Sequence, residues 1–420
     1  MHDTSLIESP YAWSRLVASL LLMTIAGSGM YAVIAALPTI QLEFHLDRAE
    51  ASLPFALIMI GFGFGGVLMG RLMDRFGSVP PIVLGTVMLS LGFVAAGKSV
   101  TFWQFALAHG VLIGLLGSSA TFAPLLADIS HWFVRRRGIA VAICACGNYL
   151  AGAIWPPTVQ HFITTVGWRE TYLGLGLCCL VTMLPLSLML RRRLVTSAAE
   201  QATAQLAAYP ERPLGLSKNG LTAWLFVAGI SCCVAMSMPQ VHLVALCSDL
   251  GLGPARGAKM LSLMLGLGVI SRLASGLAAD RLGGLRTLII CSTAQGLALL
   301  MFLPAKGLVS LYVVAALFGL FQGGIVPTYA IIIREYFPPA EAGGRVGLVM
   351  MATLFGMALG GWMSGKIYDW TGNYTAAFIN GIGWNLLNVS IVCFLLWQRY
   401  GRSRATAPLG GGAEKLAQSA

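Results

Sequence analysis

Charge is what this chain lacks. Of its 420 residues only 10% are Asp, Glu, Lys or Arg, against roughly 25% in a soluble globular domain. So few charges cannot clothe a water-facing surface, and 57% of the residues are hydrophobic, with mean hydropathy +0.78. The same figures exclude disorder, collagen, a coiled coil and a disulfide scaffold. Catalytic signatures are missing too. There is no H-E-x-x-H, G-x-S-x-G or P-loop pattern, which argues against an enzyme and against a self-contained ATP-driven pump, and no cofactor is expected. The nine Cys lie in apolar runs without C-x-x-C spacing. They read as small buried hydrophobes rather than metal ligands or disulfide partners.

What the chain has is long apolar runs. A helix needs about 20 apolar residues to cross the hydrocarbon core, and twelve runs meet that length, near 16–41, 52–70, 79–97, 102–129, 138–162, 171–190, 221–247, 257–279, 287–304, 308–333, 344–365 and 374–397. The fifty Gly suit close helix packing. With both termini cytoplasmic, nineteen of the 27 Lys and Arg fall on the inner side and seven on the outer, as the positive-inside bias requires. That bias accounts for the net charge of +11 without a nucleic-acid partner. The location implied is a cell membrane, inner or plasma.

The expected organisation is a six-span half over 1–190, a polar cytoplasmic linker over 191–220, a second six-span half over 221–398 and a cytoplasmic tail over 399–420. Internal similarity supports it. Residues 70–77 read GRLMDRFG and 276–283 read GLAADRLG, sharing G-x-x-x-D-R-x-G at an offset of 206, each after the second span of its half. Val166-Gly167-Trp168 and Thr371-Gly372-Asn373 hold matching places, as do Gly147 and Gly152 with Gly356 and Gly361. Parallel repeats about an axis along the membrane normal are one transporter architecture.

The twice-used G-x-x-x-D-R-x-G loop, on twelve spans with a central linker, resembles the major facilitator superfamily over essentially the whole chain. Four stretches are similar to its monocarboxylate and oxalate–formate carriers: HWFVRRRGIAVAICACGNYLAGAIWPP (131–157), VGWRETY (166–172), VHLVALCSDLGL (241–252) and ISRLASGLAADRLGG (270–284). The resemblance implies an all-helical membrane protein of two pseudo-symmetric six-helix halves that moves a small organic anion by alternating access. It also implies a central cavity lined by spans one, four, seven and ten.

Arg272 is the one basic residue well inside a run. A guanidinium in hydrocarbon costs several kcal/mol and is normally functional or paired, and its planar fork suits a carboxylate. The resembling carriers have an Arg here with a Gly four residues on, as Gly276 is. Their other charges are missing: Ala35 stands where animal monocarboxylate carriers have a Lys, Gly268 where they have an Asp, and span eleven holds only Arg345 at its start. One buried cation favours a monoanion such as lactate or pyruvate. Polar companions expected around it are Tyr31, Ser118, Ser119, Asn148, His242, Gln322 and Tyr329, each with an interhelical hydrogen bond as its plainer role. His109 and His242 are the groups that could titrate near neutrality. The repeated loops, Gly70, Asp74, Arg75, Gly77 and Gly276, Asp280, Arg281, Gly283, are expected to gate.

Two other readings compete: an efflux carrier for amphiphilic drugs, and a dicarboxylate or formate exchanger. The partners expected are a small organic anion and membrane lipid, with protons as a further candidate. Without an acidic partner for Arg272, facilitated diffusion or exchange is favoured over proton symport.

Overall fold

The computed structural model describes residues 7–133, 135–192 and 213–405, and every regular element among them is helical. Twelve helices are long and apolar enough to cross a membrane: Pro10–Glu43, Arg48–Met73, Val79–Gly97, Phe102–Trp132, Gly138–Val166, Trp168–Leu188, Lys218–Asp249, Pro254–Leu282, Gly284–Phe302, Leu308–Tyr336, Glu341–Thr371 and Thr375–Tyr400. These are spans one to twelve below. Most run a turn beyond the apolar stretch, because their ends are set by caps that hydropathy does not weigh. Asp47 and Glu50 form a capping box at span two, and the Ser217 hydroxyl accepts from Gly220 N–H at span seven. The linker residues 193–212 and the tail beyond 405 lie outside the described residues, as does the side chain of Asp74.

Large apolar side chains such as Leu177, Val181, Leu277 and Trp397 are more than half exposed, which suits contact with lipid and not with water. Cys178 and Cys393 are among the exposed residues and Cys291 is only half-buried, so the expectation of nine buried thiols holds for six.

Packing repeats with the sequence. Span one packs on span five as seven does on eleven, two on four as eight on ten, and three on six as nine on twelve. The first six spans meet the last six chiefly through two mated pairs, two with eleven and five with eight, with a smaller contact between spans one and seven. Glycines make the parallel concrete. Gly147 lies against Met23 and Leu20 of span one, and Gly356 against Ile230 and Cys233 of span seven. Gly77 and Gly283, which end the repeated loops, have φ of 83° and 82° and return their N–H groups to Met73 and Ala279 carbonyls. Only Gly takes that backbone cheaply, so the last Gly of the repeat is a helix stop.

Three spans that read as continuous are divided. Span one changes helix at Gly27. Span four runs from α-helix into a π-helix over Ala108–Gly117, a 3₁₀ turn over Ser118–Thr121 and α-helix again from Ala123. Span ten stops at Gln322 and restarts at Ile325 after Gly323-Gly324. Span five, by contrast, continues unbroken through Pro156 and Pro157.

Candidate functional site

Divided membrane helices free backbone groups, and those groups are tolerated only where protein or a cavity receives them. Here they converge. Ser118 Oγ donates to the Ala26 carbonyl at 3.0 Å, closing the end of the first helix of span one. The Gly323 carbonyl, at the break of span ten, lies 3.4 Å from Arg272 Nε.

Arg272 is 7% exposed. Its Nη1 donates to the Ala145 carbonyl of span five at 2.8 Å, and its guanidinium lies over the Tyr149 ring, 4.4 Å from the centroid. Among the described residues no carboxylate pairs with it. A buried cation held by carbonyl dipoles and a π-face has no net counter-charge. Tyr31 completes the group: its hydroxyl is within electrostatic reach of both Tyr149 and Arg272, and a Cβ on Gly152 would meet its ring at 2.7 Å. Gly268 leaves room for the Tyr149 ring, which any side chain there would strike. Ala145, Tyr149 and Gly152 recur at helical spacing, so one face of span five meets span eight.

This site occupies one side of the pseudo-symmetric pair. At the repeat offset of 206 the counterpart of Arg272 is Gly66, and Tyr149, two residues after Gly147, corresponds to Ala358. The anchor therefore belongs to the interface of spans five and eight alone.

The other expected residues divide. Gln322 accepts from Gln240 Nε2 at 2.9 Å, one residue from the Gly323 carbonyl that faces Arg272. Asn148 is half-buried beside Tyr149, and its side chain makes no hydrogen bond among the described residues. Ser119 turns back to the Leu115 carbonyl at 2.6 Å. Tyr329 donates to Asn388 at 2.9 Å, and Asn388 to Ser292 at 2.8 Å, a network of spans nine, ten and twelve. His242 donates from Nε2 to the Gly361 carbonyl at 2.8 Å and accepts at Nδ1 from Tyr374 at 3.1 Å. His109 Nδ1 bonds the Phe105 carbonyl at 2.8 Å.

A charged clasp on the face opposite the linker escaped the sequence reading. Arg48, at the start of span two, makes 2.9 and 3.0 Å bonds to both oxygens of Asp249 at the end of span seven. The Asp369 carboxylate accepts the backbone N–H groups of Arg48 and Ala49 at 2.8 and 2.9 Å. Tyr368 lies under the same guanidinium, 4.8 Å from its ring centroid. Every hydrogen bond between the first and last six spans among the described residues belongs to this clasp or to the contact of spans five and eight, where Ser262 also bonds the Ala153 carbonyl. On the linker side, a Cβ added at Gly70 or Gly276 of the repeated loops would meet nothing within 4 Å. Arg75 stacks only on its neighbour Phe76, and Asp280 and Arg281 are exposed. Among the described residues, the ion pairs and hydrogen bonds that join the two groups of spans at a face are on the far face, and none is on the linker face.

A second ionic cluster was also missed. Arg15, 1% exposed, pairs with Asp128 through two 2.8 Å bonds and donates to Ser78 at 3.0 Å, binding spans one, three and four.

The family model described as Major Facilitator Superfamily matches residues 19–310 and 270–419. The chain belongs to that superfamily of secondary transporters, which are not enzymes, and it is a multi-pass membrane protein that carries a small molecule. It is 31% identical over 357 residues to monocarboxylate transporter 11 of Homo sapiens, covering 81% of this chain and 74% of that protein. To monocarboxylate transporter 13 of Rattus norvegicus it is 28% identical over 334 residues, covering 75% and 73%. Its fold is similar to that of a bacterial homolog of the human lysosomal transporter Spinster, with TM-score 0.70 at 14% identity over 93% of this chain and 97% of that one. The D-xylose–proton symporter gives 0.68 at 15% identity, over 92% and 97%.

Proposed function

We propose that this carrier moves a small monocarboxylate, of the size of lactate or pyruvate, across a cell membrane with its linker face cytoplasmic. The observation that carries the reading is Arg272: a buried guanidinium at the meeting of spans five and eight, without a carboxylate partner among the described residues. A carboxylate on its free edge would supply the missing counter-charge through charge-assisted hydrogen bonds. A single cation suits one carboxylate better than two, which disfavours a dicarboxylate exchanger. Residues 1–190 and 221–398 act as the two rocking units, with the far-face clasp closed while the site opens to the cytoplasm. The repeated loops, Gly70 to Gly77 and Gly276 to Gly283, close the linker face in the opposite state. The likeness to monocarboxylate transporters 11 and 13 supports the substrate class.

The test is a thermal-shift panel on purified full-length protein, with monocarboxylates, dicarboxylates and amphiphilic cations, followed by counterflow uptake in proteoliposomes. Stabilisation and uptake confined to monocarboxylates are expected. A response to amphiphilic cations with none to acids would replace this reading with drug efflux.

A further inference from the structure

The amide pair beside the anchor has no part in holding a carboxylate, yet it is built with one end unused. Gln240 of span seven and Gln322 of span ten are 6% and 0% exposed, and they share one hydrogen bond of 2.9 Å. The remaining amide nitrogen of Gln322 is buried without a partner. An unpaired buried donor costs about 1–3 kcal/mol. A pair serving only to tie two helices would have no reason to keep it.

Its position ties it to the anchor. Gln322 is the last residue before the Gly323-Gly324 break, where spans eight and ten touch. A Cβ on Gly323 would meet the Ser271 side chain at 2.8 Å, and the Gly323 carbonyl is a partner of Arg272 Nε. Backbone contact therefore fixes the amide relative to the guanidinium. Both lie on the last six spans and keep their spacing as the carrier rocks.

Resting on the monocarboxylate reading, we infer that the Gln240–Gln322 pair is a selectivity element that donates a hydrogen bond to an oxygen substituent on the substrate's carbon chain, so that hydroxy and oxo acids are preferred over unsubstituted ones. Gln240 holds the Gln322 amide by its oxygen, which leaves the nitrogen to point at the ligand. The preference follows from what an unsubstituted acid leaves behind. A methylene against the Gln322 nitrogen keeps that donor unpaired, whereas a hydroxyl or carbonyl oxygen satisfies it. A site that reads a polar group rejects the analogue lacking it more strongly than an apolar pocket rejects an added one.

Three acids with the same three-carbon skeleton decide the matter: pyruvate, lactate and propionate. Their affinities are measured by calorimetry on the purified full-length protein in detergent. The wild-type protein is expected to favour pyruvate or lactate over propionate by roughly tenfold, the value of one hydrogen bond to a buried donor. In Gln322→Met that ratio is expected to fall close to one. In Gln240→Met, which leaves the Gln322 amide in place but untethered, it is expected to fall part of the way, and this second variant serves should the first fail to fold. A ratio unchanged in both variants, including one preserved through equal losses for all three acids, overturns the inference and leaves the pair as interhelical packing. Equal wild-type affinity for the three acids also overturns it, with the monocarboxylate reading intact. A wild-type protein that binds none of the three overturns both.

Discussion

The Asp369 carboxylate, at the end of span eleven, caps the first turn of span two by accepting the Arg48 and Ala49 N–H groups at 2.8 and 2.9 Å. Carboxylates are favoured at helix N-termini, and this one comes from the opposite group of spans. The cap exists only while the far face is shut. Asp369→Ala should therefore shift the population toward a far-face-open state without touching Arg272. Spin labels at Val100 and Lys306, both exposed on that face, should report a longer distance distribution than in the parent protein. An unchanged distribution would make the cap incidental to gating.

Arg272→Lys tests the anchor. Lysine keeps the charge but cannot both donate as a fork and lie flat over Tyr149. Losing a charge-assisted bond costs about 1.5–3 kcal/mol, so affinity for the transported acid should drop roughly ten- to a hundred-fold. Expression and melting temperature should stay near the parent values. Binding within twofold of the parent would remove Arg272 from the site.

Tyr149 separates ring from hydroxyl. A cation–π contact is worth about 0.5–1 kcal/mol when exposed and about 2 kcal/mol when desolvated. Tyr149→Leu should weaken substrate binding several-fold by leaving the guanidinium mobile, and Tyr149→Phe should weaken it far less. Equal losses in the two variants would show that the hydroxyl acts instead.

The Arg15–Asp128 pair should be a stability element. Removing one partner of a buried pair costs about 3–5 kcal/mol, whereas replacing both by apolar groups is often close to neutral. Asp128→Leu alone should lower the melting temperature in detergent more than Arg15→Met with Asp128→Leu. Additive losses would mean that the charges do not act as a pair.

This chain is expected to work without proton coupling. Both nitrogens of His242 are engaged, and His109 is sealed among Phe105 and Tyr172. An imidazolium at either place would be a buried charge with no carboxylate paired to it among the described residues. Substrate-driven uptake into proteoliposomes should leave an internal pH dye unmoved. Acidification near one proton per substrate would require a relay elsewhere in the protein.

The spans were legible because hydropathy fixes them to within two turns, and the duplication was legible because Gly is required where φ is positive or helices touch. Arg272 stood out as a charge with nowhere to go. Tyr149 did not, since an aromatic beside Asn148 in an apolar helix looks like ordinary packing, and only the spacing of Ala145, Tyr149 and Gly152 hints at a shared face. The clasp was hidden for a different reason. Arg48, Asp249 and Asp369 lie more than a hundred residues apart in chain order, in segments where charge is expected anyway. Breaks in spans four and ten leave no hydropathy trace, because a change of helix type or a Gly-Gly interruption alters the backbone without altering the apolar composition of the run.

The unpaired charge of Arg272 has an electrical consequence. With a monoanion bound the site is neutral, and empty it is a single positive charge buried between the two faces. A unit charge carried through the full membrane potential is worth about 2.3 kcal/mol per 100 mV. Voltage should thus act mainly on the return of the unloaded carrier, and cell polarisation, rather than affinity, would set how fast it can be reused.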